Sequence, residues 1–131
     1  MKIGELAKSS DCPVPTIRYY EAEGLLLAPA RSEGNFRVYS ESDLERLRFI
    51  LQCRSRDMTL EEVRTLLTFR DRPELDCGEV NDLVDEHISK VRAKIRALKE
   101  LERELMELRR SCAAVRPAKE CGILNGLAET H

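Results

Sequence analysis

Three of the five cysteines could act together chemically: Cys77, Cys112 and Cys121. Three thiolate sulfurs form a soft donor set, which prefers soft, polarisable cations over magnesium, calcium or manganese. A structural zinc site normally takes four ligands, and residues 113–120 offer no further cysteine or histidine. Three sulfurs alone suit lead or mercury, whereas cadmium would recruit an additional oxygen or nitrogen donor. These donor types predict a site for a soft divalent metal ion.

The stretch between Cys77 and Cys112 predicts one long helix with an apolar edge. Eleven positions follow one another in steps of three or four and average 3.5 residues per step, which is the coiled-coil period. At about 1.5 Å per residue this stretch extends over about 52 Å, so the two thiols cannot meet within one chain. The apolar edge consists of Cys77, Val80, Val84, Ile88, Val91, Ile95, Leu98, Leu101, Leu105, Leu108 and Cys112.

A helix of this length must bury its apolar edge, and a second copy of the chain would cover it. Antiparallel pairing would bring Cys77 of one subunit beside Cys112 of the other and would create two identical mixed sites, as a closed dimer requires. The loop after Cys112 is short enough to fold Cys121 back onto it. Periodicity alone leaves a second interpretation open, because free cysteine also packs as a small hydrophobic residue.

Composition restricts the class of protein. At 131 residues the chain is too short for the larger α/β enzyme cores, and we find neither a nucleophile with a nearby base nor a phosphate loop, so we expect no enzyme. No apolar run approaches the roughly 18 residues of a membrane span, and the amino terminus lacks a signal-peptide pattern. We therefore expect a cytoplasmic protein without a membrane partner. The net charge of −2 gives no support for nucleic-acid binding, which must rest on local arrangement.

The first part of the chain predicts a helix-turn-helix. Residues 3–9 form a short amphipathic helix, residues 10–12 turn, and a second helix runs from Pro13 to Gly24. In this motif the second helix enters the major groove of DNA. A small helical hairpin with a surface arginine would give the same pattern. The residues of the second helix that we expect to contact DNA are Thr16, Arg18, Tyr19 and Tyr20.

Residues 31–39 predict a two-stranded wing, with a tight turn at Gly34 and Asn35. Arg37 and Tyr39 follow the turn, and we expect them to hold the phosphate backbone, which adds affinity without sequence information. Without the helix pair before it, a solvated hairpin would be the simpler interpretation.

Two further helices are predicted after the wing. One begins at Ser40, and the other begins at a capping box formed by Thr59 and Glu62. We expect Cys12 and Cys53 to be packing residues. A local basic surface is predicted on and after the third helix from Arg46, Arg48, Arg54 and Arg56.

The expected fold is therefore mainly α, in three parts. Residues 1–72 form a winged helix-turn-helix DNA-binding domain, and residues 76–112 form a long antiparallel coiled-coil dimerisation helix. Residues 113–131 form a metal-binding loop and a short C-terminal helix.

Several motifs resemble those of the MerR family of transcription regulators. They are IGELA at 3–7, TIRYYE at 16–21, GLL at 24–26, GNFRVY at 34–39 and LERLRFI at 44–50. Further motifs resemble the lead- and cadmium-responsive (PbrR- and CadR-like) branch of that family: CGEVN at 77–81, DEHI at 85–88 and RPAKECGIL at 116–124. This resemblance favours the interpretation of the three cysteines as ligands.

The resemblance implies a homodimer with antiparallel helices that binds a palindromic operator in double-stranded DNA. The promoter spacer would be too long for RNA polymerase, and capture of Pb(II) or Cd(II) by Cys77, Cys112 and Cys121 would change the dimer and distort the DNA to activate transcription. A mercury sensor with the same ligands and a cytosolic metal buffer are the alternatives, and Zn(II) is the remaining candidate inducer. Zinc sensors carry paired cysteines at the start of the loop, whereas Ser111 precedes Cys112 here. Neither His87 nor His131 is expected to be a ligand.

Overall fold

The computed structural model describes residues 1–27, 29–34 and 36–129, so Asn35 of the expected wing turn and His131 lie outside the described residues. The chain forms two compact units, Met1–Leu83 and Val84–His131. Within the described ranges, no helix combines the length and the hydropathy that crossing a bilayer requires. In chain order the elements are α1 (Ile3–Ser10), α2 (Val14–Ala22), β1 (Ala30–Arg31), β2 (Arg37–Val38), α3 (Glu41–Ser55), α4 (Leu60–Asp71), α5 (Gly78–Arg110), a 3-10 turn (Ala118–Glu120) and α6 (Gly122–Ala128).

The helices α1 and α2 form the predicted helix-turn-helix. Asp11 adopts a left-handed conformation with φ of 55°, and the N–H of Cys12 donates to the Ala7 carbonyl at 3.0 Å, which ends α1. Pro13 precedes α2 and gives it no side-chain cap, but its fixed φ and missing N–H suit a helix start. The turn therefore comes from backbone conformation at three consecutive residues.

The wing is an antiparallel pair of two-residue strands, β1 and β2. Ala30 lies opposite Val38 and Arg31 lies opposite Arg37. Strands of this length are marginal on their own, so contacts with the rest of the unit must hold the wing in place.

Reciprocal capping boxes begin both α3 and α4. The Ser40 hydroxyl accepts from the N–H of Asp43 at 3.2 Å, and the Asp43 carboxylate accepts from the N–H of Ser40 at 2.8 Å. Thr59 and Glu62 make the same pair of bonds at 3.1 and 2.9 Å. The predicted helix starts are confirmed, because these signals depend only on residues three positions apart.

The four helices of this unit share one apolar core, in which α3 packs against α1 and α4. Cys12 and Cys53 belong to it at 3% and 7% exposure, as expected for packing residues, and burial raises the pKa of both thiols. The large side chains that are less than 2% exposed are Leu6, Ile17, Leu25, Leu47, Ile50 and Val63.

Arg46 does not belong to a basic surface, which corrects the prediction. Its side chain is buried, Nε donates to the Leu25 carbonyl at 2.7 Å, and Nη1 donates to both carboxylate oxygens of Asp71 at 2.8 and 2.9 Å. Arg46 therefore joins α3 to the last residue of α4 and to the segment that follows α2. The other three arginines of the predicted surface, Arg48, Arg54 and Arg56, are exposed.

The long helix α5 runs without interruption over 33 residues and lies two residues inside the predicted 76–112 at each end. Six residues of its apolar edge are between 36% and 64% exposed in the single chain. A contiguous exposed apolar surface of this kind marks an interaction site. These six are Val84, Ile88, Ile95, Leu98, Leu101 and Leu105.

Replacement of Arg46 should destabilise the amino-terminal unit more than replacement of Arg64, whose ion pair with Glu23 is more exposed. We expect Arg46→Met to lower the free energy of unfolding by about 1–3 kcal/mol, since it leaves the buried Leu25 carbonyl without its donor. Arg64→Met should cost less than about 1 kcal/mol. Urea denaturation followed by circular dichroism measures both, and equal losses would contradict the structural role of Arg46.

Candidate DNA-binding surface and metal site

Helix α2 carries four of the residues predicted to contact DNA, and three of them are at least partly exposed. Arg18 is exposed, Thr16 is half-buried, and Tyr19 is 48% exposed. The ring of Tyr19 lies 5.8 Å from that of Tyr20, which is buried. Arg18 and Tyr19 therefore present a guanidinium and an aromatic ring at the surface of α2.

Glu21 joins the wing to α2. Its Oε2 accepts from Arg37 Nη1 at 3.0 Å, and its Oε1 accepts from the Tyr39 hydroxyl. Burial, and then the hydrogen bond to Glu21, raises the pKa of Tyr39 to about 12, so the phenol stays protonated and donates. Both carboxylate oxygens of Glu21 are thus engaged by side chains from the end of the wing.

Two of the expected DNA contacts have buried side chains. Tyr39 is 2% exposed and Tyr20 is 5% exposed, so both face the core. The backbone of Tyr39 also makes two hydrogen bonds to Met1. The N–H of Tyr39 donates to the Met1 carbonyl at 2.6 Å, and the terminal ammonium of Met1 donates to the Tyr39 carbonyl at 2.7 Å. In this structure Tyr39 holds Glu21 and the amino terminus in place.

Cys77 immediately precedes α5 and is exposed. The Asp76 carboxylate accepts from the N–H of Gly78 at 3.1 Å, and the Asn81 side-chain amide lies 3.9 Å from the Cys77 sulfur. The thiol is therefore accessible at the start of the helix, with a polar neighbour one turn along.

Cys112 and Cys121 lie together at the other end of α5, as the short loop predicts. Both are half-buried, the Cys112 thiol donates to the Ala114 carbonyl at 3.3 Å, and Cys112 lies close enough to Cys121 to contribute to the lowered pKa of Cys121. The backbone N–H of Leu124, together with that of Ile123, donates to the Cys121 sulfur and lowers its pKa, and the charge of Arg116 lowers it further. The arrangement favours the thiolate, which is the form that binds metals.

Gly122 allows the close approach of α6 to the end of α5. A Cβ at this position would lie 1.9 Å from the carbonyl oxygen of Ser111, so only glycine fits. At Gly126, in contrast, a Cβ would meet Leu108 Cδ1 at an ordinary 3.5 Å. The contact between Cys112 and Cys121 thus depends on a residue without a side chain.

Within one chain, the thiols of Cys112 and Cys121 supply part of a donor set for a soft cation. Cys112 and Cys121 offer two adjacent sulfurs, one with a lowered pKa, which are donors that soft metals prefer. Over the described part of the chain, no group of three His, Cys, Asp or Glu side chains is gathered where it could hold a metal ion. A three-sulfur site would need one more ligand than this thiol pair supplies.

Two family models match the chain. "MerR HTH family regulatory protein" matches residues 1–69, and "MerR, DNA binding" matches residues 44–108. The chain belongs to the MerR family. This confirms the resemblance in the motifs, the expected winged helix-turn-helix fold, and the expectation of a transcriptional regulator rather than an enzyme.

Individual MerR proteins are similar along most of the chain. A ZntR homolog of Haemophilus influenzae is 46% identical over 109 residues, which cover 83% of this chain and 81% of that protein. The crystal structure of PbrR691 from Ralstonia metallidurans with lead(II) is 65% identical, covers 98% of this chain and 99% of its own, and has a TM-score of 0.86. The crystal structure of MerR from Bacillus megaterium with mercury(II) is 34% identical in sequence and has a TM-score of 0.74. The match covers 98% of this chain and 100% of that chain.

Sequence reasoning assigned no role to Glu21 or Gly122, although each organises a site in this MerR protein. Both stand in the quoted family motifs, and that was the available signal. Glu21 lies three residues after Arg18, which puts both on one face of α2. Nothing in the sequence pairs Gly122 with the carbonyl of Ser111.

We expect Gly122→Ala to separate Cys112 from Cys121, because the added methyl group would displace α6. Phenylarsine oxide bridges two neighbouring thiols, so the parent chain and the matched control Gly126→Ala should take up the arsenical across this pair. Gly122→Ala should lose that adduct in native mass spectrometry. An unchanged adduct would contradict the structural role of Gly122.

Alkylation should follow the thiol environments. Iodoacetamide reacts with the thiolate, so the alkylation rate of each cysteine increases as the pH rises through the pKa of its thiol. The pKa of Cys121 is lowered, so its alkylation should begin at lower pH. The pKa values of Cys12 and Cys53 are raised, so their alkylation should begin at higher pH. At neutral pH Cys121 should be modified well before Cys12 and Cys53. Peptide mass spectrometry over a pH series measures the order, and equal rates would contradict it.

Proposed function

We propose that the chain is a metal-responsive activator that senses a soft divalent heavy metal, Pb(II) or Cd(II), and turns on a metal-resistance promoter. The observation that carries this proposal is the thiol pair Cys112 and Cys121 on a MerR chain with a winged helix-turn-helix. The pair provides two thirds of a soft three-sulfur site. Cys77 is the third ligand, and it comes from a second subunit.

The apolar edge of α5 supports the dimer. A helix of 33 residues is about 50 Å long at about 1.5 Å per residue, which keeps the residue before it far from the residue after it. Six edge residues stay exposed in a single chain, and an antiparallel second copy would bury them. The same pairing brings Cys77 of the partner subunit to Cys112 and Cys121, so the dimer contains two equivalent sites.

The choice of metal follows from the donors and from the relatives. Three thiolates without a fourth protein ligand suit Pb(II), and the PbrR691 structure, 65% identical, holds lead(II). Hg(II) is the second candidate, because the MerR structure from Bacillus megaterium holds mercury(II) at 34% identity. In either case the three sulfurs must contact the ion more favourably in the activating state of the dimer, since only a difference in affinity shifts an equilibrium.

The action on DNA is indirect. The dimer places one α2 helix in each half of a palindromic operator, with the wings on the backbone. The metal-bound dimer bends and untwists the DNA between the half-sites, so that RNA polymerase can engage both promoter elements. The regulator stays on DNA in both states, and the metal changes the shape of the complex.

Cys77→Ser should abolish the metal response while DNA binding is retained. We expect the wild type to bind one ion per three-sulfur site and two per dimer, measured by thiolate-to-metal charge-transfer absorption during titration with Pb(II), Cd(II) and Hg(II). Metal-dependent transcription in vitro provides the second readout. A normal response of Cys77→Ser would show that Cys77 is not a ligand.

Mixed dimers test whether the site lies between subunits. Homodimers of Cys77→Ser and of the double variant Cys112→Ser/Cys121→Ser should each lack a complete site. A mixed dimer of the two should regain one of its two sites, because its intact Cys77 and its intact Cys112–Cys121 pair come from different chains. Failure of the mixture to bind would instead place all three sulfurs in one subunit.

A cytosolic metal buffer would bind metal through the same thiols and would have no operator. A gel-shift experiment with the promoter fragment separates the two functions, because a buffer gives no specific complex. The exposed Arg18 on α2 and the wing attached to that helix favour the regulator.

A further inference from the structure

The wing cannot hold its own position. Each strand has two residues, and a two-stranded hairpin is marginally stable by itself. Polar contacts at Tyr39 and Arg37 must fix it instead. The backbone of Tyr39 is tied to Met1, and the side chains of Arg37 and Tyr39 are tied to Glu21.

Glu21 is well placed for this task. Its side chain is only 12% exposed, and it lies on α2 three residues after Arg18, on the same helical face. Each of its oxygens serves a different wing residue, Oε2 for Arg37 and Oε1 for Tyr39. A charged hydrogen bond of this kind fixes a flexible arginine more firmly than packing alone would.

A cavity of about 370 Å³ lies between α2 and the wing. Three of its lining residues are arginines, one each from α2, β1 and β2, and Glu21 is beside them. A guanidinium group can donate two parallel hydrogen bonds to the oxygens of a phosphate. The anion that approaches this surface of a DNA-binding protein is the phosphodiester backbone. The lining residues are Arg18, Glu21, Ala22, Pro29, Arg31 and Arg37.

We propose that Glu21 is a positioning residue that holds Arg37 across from Arg18, so that the cavity between α2 and the wing receives one DNA backbone phosphate, with Arg31 as a further contact. This inference rests on the proposed binding of DNA by α2 and the wing. The benefit is preorganisation, because an arginine that is already oriented loses less conformational freedom when DNA arrives.

The sign of the effect distinguishes positioning from simple electrostatics. A carboxylate beside a phosphate repels it, so on charge alone removal of Glu21 would strengthen DNA binding. Positioning requires the opposite result. Glutamine replaces one carboxylate oxygen with an NH₂ group and carries no charge, so Glu21→Gln keeps the volume but loses the charge-assisted hydrogen bond that holds Arg37.

The experiment compares full-length dimers by fluorescence anisotropy over a series of salt concentrations. The probes are a duplex selected by the wild type from a random library and a random-sequence duplex of equal length. We expect Glu21→Gln to weaken binding to both duplexes about fivefold to tenfold and to reduce the salt slope by about one, as loss of one phosphate contact does. Arg37→Gln should lose the same amount of DNA affinity and salt slope. The Glu21→Gln/Arg37→Gln double variant should bind DNA no more weakly than either single variant.

Two controls keep the result interpretable. Glu45→Gln makes the same charge change at an exposed position of α3 and should leave affinity unchanged or slightly higher. Tyr39→Phe removes one of the two bonds to Glu21 with little change of volume, and should give a smaller loss of affinity in the same direction. Thermal unfolding of each variant shows whether the fold is intact.

The outcomes test the positioning role of Glu21 separately from the proposed regulatory function. Unchanged or tighter binding by Glu21→Gln, with an unchanged salt slope, would overturn the role of Glu21. Additive losses in the Glu21→Gln/Arg37→Gln double variant would do the same, since they would make the two residues independent. If the wild type selects no duplex at all, the proposed regulatory function fails first and the phosphate site fails with it.

Discussion

A continuous helix cannot bring its own ends together, and the arrangement of the cysteines depends on that constraint. Helix α5 separates Cys77 from Cys112 by 33 helical residues, or about 50 Å at about 1.5 Å per residue. The apolar edge of the same helix is uncovered in a single chain. In the dimer that we propose, one second subunit supplies both the third sulfur and the cover for the apolar edge, so that assembly of the dimer and assembly of the metal site are coupled.

Within the DNA-binding unit, two charged groups join separate elements of the fold. Arg46 connects α3 with the end of α4 and with the segment after α2, while Glu21 connects α2 with the wing. Each is largely buried and each satisfies several partners. Such contacts are directional, so they fix the orientation of an element as well as its proximity. For a wing of two-residue strands, these contacts determine the direction in which Arg37 is held.

The parts that sequence reasoning predicted well depend on neighbouring residues. The starts of α3 and α4 follow from capping residues three positions apart, and the extent of α5 follows from its apolar period to within two residues at each end. The wrong prediction concerned a distant partner. Arg46 was predicted on a basic surface, because a sequence shows the charge but not the Asp71 carboxylate, 25 residues away, that neutralises it.

The sequence by itself determined the family motifs, the order of the helices, the apolar edge of α5 and the soft thiol donors, because these depend on residue type and spacing along the chain. Only the tertiary structure decided three contacts. Tyr39 is buried and donates to Glu21, Arg46 is buried and donates to the Leu25 carbonyl, and Gly122 must lack a side chain beside the Ser111 carbonyl. The reason is physical. Burial, ion pairing and steric exclusion are set by atoms that meet in space after folding, and spacing along the chain does not specify which atoms those will be.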